Sequence, residues 1–445
     1  MAALDGIDTL VILMFENRSF DHLLGHLSLE EPRMEVEGLR DPETNQKYVN
    51  DFLGQAFRPF LIQDEAAVIN HDPPHSRASV RMQMHKVRNR FRMSGFVKAY
   101  FERTQSSVGP QAVPMGYVGS QTAWMSSFLA RNFCVCDHWF TPLPADTQPN
   151  RLMAFTGHTL IDETQGRLLK HTRQDLVFEW LNRHQIPWRV YHDGLPSFAL
   201  YGRVEELLGP NFRSIDRLET DIRTEPAAKA PKVLFIEPRY FDNFLSDKPA
   251  NCNHPTARLC HGELFLHRVY SALTSNPEKW ARTLFIVTYD EHGGFFDHVP
   301  PLRIISPVPP GADYTEAFST TGPRVPALLV SPRFKPGKVF SGPLDHTSML
   351  QLIAEKFGSG PEDYSTFVTA RRKQGISSVS AALEGETSQR PAPQRAPVPC
   401  PPPPAGPRPP RMPNELAFKE AAQKLKREGG GAAVEQFPSL ARLPP

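Results

Sequence analysis

The sequence predicts an α/β fold, with helices layered on a largely parallel sheet. Two observations carry this reading. Five short runs, Thr9–Phe15, Trp188–His192, 232–238, 283–290 and 324–331, are rich in β-branched and aromatic residues and nearly free of polar interruption. Strands buried on both faces have that composition. Between them lie segments with helical spacing at 175–183, 262–274 and 346–357, the last placing Met349, Leu350, Leu352 and Ile353 on one face. Alternating strands and helices give layered α/β architectures.

The bulk composition suits a soluble globular chain. Apolar residues make up 40% of 445, enough for a sizeable core. Lys and Arg total 50 against 48 Asp and Glu, so no basic excess argues for a nucleic-acid partner. One basic stretch, RMQMHKVRNRFR at 81–92, reads either as a solvated helix face or as a patch that meets anionic substrate or lipid headgroups. The run Thr9–Phe15 is too short to span a bilayer. As written, the chain reads as cytoplasmic, or as secreted or periplasmic once a leader has been removed.

Cys134 and Cys136 read as buried thiols, and Cys252 and Cys260 are candidates to pair across a loop. Residues 18–80 and 90–150 read as long loops with few strong periodic elements. From 385 the composition changes to RPAPQRAPVPCPPPPAGPRPPRMP and its surroundings, which separates a domain at 1–384 from a Pro-rich extension at 385–445. Prolines at that density form extended backbone. The default reading is a disordered tail, the alternative a covering arm, with a short helix at 414–427.

In open sheets, ligands bind beyond the carboxyl ends of strands. The first run ends in Glu16-Asn17, and 283–289 ends in Asp290-Glu291-His292. Adjacent carboxylates at a strand end repel each other and resist desolvation, and a divalent cation relieves both. Gly293-Gly294 lets the backbone pass close to a ligand. Asp297 and His298 close the same segment. In PADTQPNR, Thr147 reads equally as a helix cap or as a nucleophile, since a hydroxyl at a helix N-terminus sits in a positive field. His75, His254 and His346 lie beside Pro or Asp in expected loops. With His292 they are candidates to bind phosphate oxygens and protonate a leaving group.

These motifs together resemble the phosphoesterase family, which holds bacterial phosphatidylcholine-hydrolysing phospholipases C, plant non-specific phospholipases C and related acid phosphatases. ENRSFDHLLG at 16–25, PADTQPNRLMAFTGHT at 144–159, TYDEHGGFFDHVPP at 288–301 and DHTSMLQLIAEKFG at 345–358 carry the resemblance, in family order. It implies an alkaline-phosphatase-like three-layer sandwich. It implies one divalent metal ion on Glu16, Asn17, Asp290, Glu291 and the Thr147 hydroxyl, with Thr147 as nucleophile. It implies that His75 and His292 hold phosphate or act on the leaving group, with His254 near substrate. Substrate contact is also expected of His346, Asp297 and His298. Ala145-Asp146 stands where the family usually has Gly-Pro, and the large C-terminal domains of the long bacterial enzymes are replaced by the Pro-rich tail.

The expected activity is phospholipase C-type cleavage of a glycerophospholipid through a phosphothreonine, with peripheral membrane contact but no transmembrane segment and no nucleic acid. The alternatives are a phosphomonoesterase of the acid phosphatase type and a non-catalytic metal-containing binding protein. Phe295 and Phe296 are candidates either to greet acyl chains or to join the core.

Overall fold

The computed structural model describes residues 4–63, 72–105, 108–169, 175–240, 248–255, 257–402 and 413–443. Its centre is an eight-stranded sheet. In chain order the strands are β1 (Thr9–Phe15), β2 (Cys134–Cys136), β3 (Trp188–His192), β4 (Phe212–Ser214), β5 (Val233–Glu237), β6 (Thr283–Tyr289), β7 (Ala327–Val330) and β8 (Lys338–Phe340). Across the sheet they run β4-β3-β5-β1-β6-β7-β2-β8. All pairings are parallel except the two made by β7, which is antiparallel to both β6 and β2. The expected largely parallel sheet is therefore present, with one reversed strand.

The helices include α1 (Arg77–Met84), α2 (Phe96–Thr104), α3 (Trp124–Asn132), α4 (Thr147–Thr156), α5 (Val177–Arg183), α6 (Leu259–Thr274), α7 (Thr347–Phe357) and α8 (Pro413–Gln436). Helices cover both faces of the sheet. Ile12 of β1 is in register with Phe235 of β5, and Phe235 packs on Phe155 of α4 and Phe178 of α5. Phe15, three residues further along β1, therefore faces the other way, where it meets Phe265 of α6. Both faces of β1 are thus buried, which is why its sequence shows no alternation.

The stretches read as loops hold more than expected. Helices α1, α2 and α3 and strand β2 all lie within 77–136. Around Phe96, Phe101, Met84 and Phe296, α1 and α2 build a second, smaller hydrophobic cluster, while α3 and β2 join the main core. Phe296 packs edge-on against Phe96, and Phe295 is fully buried against His22 and Arg18. Both therefore serve packing and neither reaches out to acyl chains. The basic stretch is only partly helical, since α1 ends at Met84 and a hairpin of Lys86–Val87 and Arg90–Phe91 follows.

The extension is not a free tail in its described parts. Cys400 is disulfide-bonded to Cys260 of α6, while Cys252 is a buried free thiol, so the expected Cys252–Cys260 pair is not formed. The carbonyls of Pro393 and Arg395 accept hydrogen bonds from Tyr270 and His267. Helix α8 runs beyond the expected 414–427, with a kink at Gly430, and Phe418, Ala422 and Leu425 join the main core. The core thus crosses the boundary drawn at 384, because the arm supplies apolar side chains that the globule would otherwise leave exposed. Residues 403–412 of the Pro-rich run lie outside the described residues. Cys134 and Cys136 are buried free thiols, as expected.

Candidate active site

The two acidic strand tips converge because their strands are neighbours. β1 and β6 are parallel with Phe15 opposite Tyr289, so Glu16 and Asp290 emerge side by side. The tips are then sewn together. The Asn17 amide donates to Asp290 Oδ1 at 3.1 Å and the Arg18 amide to the Glu291 carbonyl at 3.1 Å. Asn17 adopts a left-handed backbone, φ 60°, which for a residue with a side chain is uncommon and clusters at functional sites. Gly293 is equally constrained: at φ 65°, a Cβ there would lie 2.1 Å from the Asn17 carbonyl oxygen. A Cβ on Gly294 would meet the Pro74 carbonyl at 2.7 Å. The two glycines therefore let the turn after β6 pack directly on Asn17 and on the chain leading to His75, rather than past a ligand as expected.

Four predicted ligands are brought together, but their oxygens differ in how far they are already bonded. Asp290 Oδ1 also accepts from the Glu291 amide, and Oδ2 accepts from Arg151 Nε at 2.9 Å. Glu16 lies 3.7 Å from Arg151 Nη2. Glu291 Oε2 accepts from the Gly293 amide, whereas Glu291 Oε1 and Asn17 Oδ1 are buried with no hydrogen-bond partner among the described residues. Burial raises Glu16 to about 8 despite the opposing Arg151, and Asp290 adds to the rise. Burial likewise raises Asp290 to about 6 against the pull of Arg151. Buried acceptors without donors and carboxylates that resist ionisation are what a divalent cation would resolve. Asn17, Glu291, Glu16 and Asp290 offer it hard oxygen donors.

Thr147 is the first residue of α4, with Asp146 as N-cap. The cap side chain makes no bond to the helix and instead accepts the Thr164 amide with both oxygens, at 2.8 and 2.9 Å. In its place the Thr164 hydroxyl accepts the Gln148 amide at 3.2 Å, so the N-cap residue itself leaves the amide end of α4 free of a carboxylate, a place that favours anions. The Thr147 hydroxyl has no hydrogen-bond partner among the described residues. Its neighbours fix where it lies. Burial raises Asp146 to about 7, with His75 and Glu291 both within electrostatic reach. Arg151, one helical turn on and on the same face, binds Asp290.

The histidines separate into distinct roles. His75 donates Nδ1–H to the Pro73 carbonyl at 2.7 Å, and its Nε2 lies 3.2 Å from Asn17 Nδ2 and 3.8 Å from Glu291 Oε1. Burial alone would lower it, but Glu291 and Asp72 outweigh this and raise it to about 9. A protonated ring asks the Asn17 amide to turn its oxygen toward Nε2; a neutral ring accepts the NH2. His292 is fully buried, and burial lowers it to about 3. Its Nε2–H goes to Gln83 Oε1 at 2.8 Å. His254 is lowered by burial to about 4, and its ring stands 6.3 Å from that of His75. Asp72, His75 and His254 form a second tight group of metal-capable atoms.

Three predicted substrate contacts are committed elsewhere. His346 donates Nε2–H to the Asp290 carbonyl and accepts from Trp139 Nε1 on Nδ1, so both ring nitrogens hold the β6 tip in place. Asp297 pairs with Arg324, which also binds Asp21. His298 bonds Asp21 and Glu37. Asp21, Asp297 and Arg324 form the buried part of this ion network behind the site, and Glu37 is its exposed end. Burial would lower His298, but Asp21 outweighs it and raises the ring to about 9. A raised histidine stabilises the fold fully below its ordinary pKa near 6.5, and the contribution is lost as pH rises through 9. In urea unfolding, His298→Gln should therefore cost up to about 3 kcal/mol at pH 6 and little at pH 9.5. A loss that is constant with pH would show that packing, not charge, is its role.

Sequence reasoning missed Arg151, Gln83, Asp72, Tyr240 and Glu237. Arg151 lies inside PNR, where the helical spacing from Thr147 was the available signal. Gln83 and Tyr240 carry none, because each reaches the site from an element far away in sequence.

The fold and this site define a hydrolase acting on phosphoric ester bonds. The chain belongs to the phosphoesterase family, whose model matches residues 7–359. It is 30% identical over 392 residues to Non-specific phospholipase C6 of Arabidopsis thaliana, covering 82% of this chain and 70% of that protein. It is 32% identical over 359 residues to Non-specific phospholipase C4 of the same plant, covering 76% and 64%. The chain thus spans about two thirds of the length of these relatives. A solved protein of the alkaline phosphatase superfamily from Vibrio parahaemolyticus aligns with a TM-score of 0.31 at 11% identity, covering 53% of this chain and 60% of that one.

Proposed function

We propose that the protein cleaves glycerophospholipids in the manner of a phospholipase C, through a phosphothreonine on Thr147. The observation that carries this is the convergence of Glu16-Asn17 and Asp290-Glu291 beside the first turn of α4, with two buried oxygens that have no donor among the described residues. The names of the plant relatives support the phospholipid substrate.

Asn17 Oδ1, Glu291 Oε1, the remaining lone pairs of Glu16 and Asp290 and the Thr147 hydroxyl would hold one divalent cation. When bound, that ion supplies Lewis-acid polarisation and favours the alkoxide. Thr147 Oγ gives up its proton to solvent and attacks phosphorus in line, the bond to the diacylglycerol oxygen breaks, and His75 delivers the proton that this oxygen takes up. His75 suits this better than His292, because its Nε2 stands at the acidic tips, 3.2 Å from Asn17 Nδ2 and 3.8 Å from Glu291 Oε1, whereas the Nε2–H of His292 is committed to Gln83. The amide end of α4 faces the charge on the transferred phosphoryl group. Water then attacks the phosphothreonine, passing one proton to His75, and the Thr147 oxygen leaves and regains its proton from solvent as the phosphorylated headgroup is released.

Elemental analysis paired with turnover on phosphatidylcholine vesicles and on a soluble aryl monoester tests this reading. The expected result is bound divalent metal, turnover that a chelator removes, and preference for the diester. Preference for the monoester would replace this reading with the phosphomonoesterase. Bound metal with no hydrolysis of either would replace it with the binding protein.

A further inference from the structure

The hairpin after α1 is unusual in charge. Residues 73–101 contain seven Lys and Arg and no Asp or Glu, in a chain where the two signs are almost balanced. Three of the seven are paired: Arg77 and Arg81 with Glu316, and Lys98 with Glu102. The other four, Lys86, Arg88, Arg90 and Arg92, are exposed. None of them is in an ion pair with a carboxylate among the described residues. Arg88 sits at the hairpin turn with φ 54°, a backbone that disfavours side chains, so the charge is kept at a position where glycine or asparagine would be easier.

Apolar side chains are interleaved with these cations. Val87 is 39% exposed, and Ile305 is 62% exposed. Arg303, also exposed, donates to the Asn89 carbonyl at the turn and so holds the Ile305 strand of chain beside the hairpin. Beneath lies a cavity of about 550 Å³ lined by Arg77, Arg81, His85, Lys86 and Lys98, with Asp51 the one carboxylate in its wall. The cavity also touches Pro144, three residues before Thr147. Helix α1 joins hairpin to site: it is about 12 Å long, it begins just after His75, and Gln83 near its end binds His292.

We propose that this hairpin, with Arg303 and Ile305, seats the protein on anionic phospholipid surfaces and so presents the loop leading into Thr147 to the headgroup layer. Unpaired guanidinium groups match lipid phosphates, and aliphatic tips between them enter the interface, a pairing of charge and apolar area that marks interfacial binding. Nucleic acid fits less well, because the exposed apolar partners are aliphatic and offer no stacking platform. The proposal rests on the phospholipid reading above, and its test does not depend on hydrolysis.

Cosedimentation of the full chain with phosphatidylcholine vesicles, with and without phosphatidylglycerol, reads the contact directly. The wild type should bind the anionic vesicles and release them as salt is raised. The triple variant Arg88→Gln, Arg90→Gln, Arg92→Gln should bind them about 100-fold more weakly, with unchanged melting temperature and unchanged turnover of a soluble monoester. Arg217→Gln, Arg223→Gln, Lys229→Gln removes the same charge elsewhere on the surface and should leave binding intact. Equal binding to neutral vesicles, equal loss in both triple variants, or retention of single-stranded RNA without vesicle binding would each overturn the proposal. Arginine-dependent vesicle binding without any phospholipid hydrolysis would uphold the docking surface and refute the substrate reading.

Discussion

Thr147→Ala should keep its fold and its metal and lose turnover by a factor on the order of 10³ or more. The substitution removes one hydroxyl and one methyl at the first position of a helix, where alanine is well tolerated. Packing changes little, because the contacts that fix α4 come from other residues. Asp146 is held by the Thr164 amide, Arg151 by Asp290, and Gly157 ends the helix at φ 85°. What is lost is a hydroxyl at the amide end of α4 that has no hydrogen-bond partner among the described residues. Thr147→Ser restores that oxygen and should recover much of the rate. The measurement is turnover of an aryl phosphate ester, with metal content and thermal unfolding alongside. Turnover like that of the wild type in Thr147→Ala would remove the nucleophile assignment. Lost metal together with lost turnover would instead place the hydroxyl chiefly among the ligands.

The parts legible in sequence share a physical cause. The runs Thr9–Phe15 and 283–289 coincide with β1 and β6 because strands covered on both faces have no polar side to interrupt them. Their tips were legible too, since a carboxylate directly after such a run has little reason to be there except a ligand or a partner. β2 and β8 were not, being three residues each and too short for any period to show. The direction of β7 leaves no trace in Ala327–Val330, because reversing a doubly buried strand leaves its composition unchanged.

The site was only half legible for a different reason. Sequence motifs name residue types but not which of their atoms are already bonded. His346, Asp297 and His298 look alike to His75 on paper, yet their partners Trp139, Arg324 and Asp21 come from distant segments. The same blindness governs Cys260, whose partner Cys400 lies 140 residues away, while nearby Cys252 is tied instead to the first acidic tip through its carbonyl, which accepts the Glu16 amide.

Arg151 carries the second large effect. It is nearly inaccessible, at 4% side-chain exposure, and it is the cation that three buried carboxylates share. Its Nε binds Asp290, its Nη2 faces Glu16 and the Phe15 carbonyl, and its Nη1 binds Tyr240, whose hydroxyl in turn donates to Glu237. Removing one partner from such a cluster costs more than the cluster contributes, because it leaves charge in a place that cannot solvate it. Arg151→Met, which keeps the stem, should therefore destabilise the metal-free protein by about 3–5 kcal/mol in urea unfolding with chelator present. Asp290→Asn alone also loses stability, since it strands the guanidinium. The double variant should lose less than the sum of the two, by about 1–3 kcal/mol, because each substitution relieves the charge that the other leaves behind. Strictly additive losses would mean that Arg151 merely fills space. Coupling of the expected size would mean that the guanidinium is what allows two acid-bearing strand tips to stand side by side before any metal arrives.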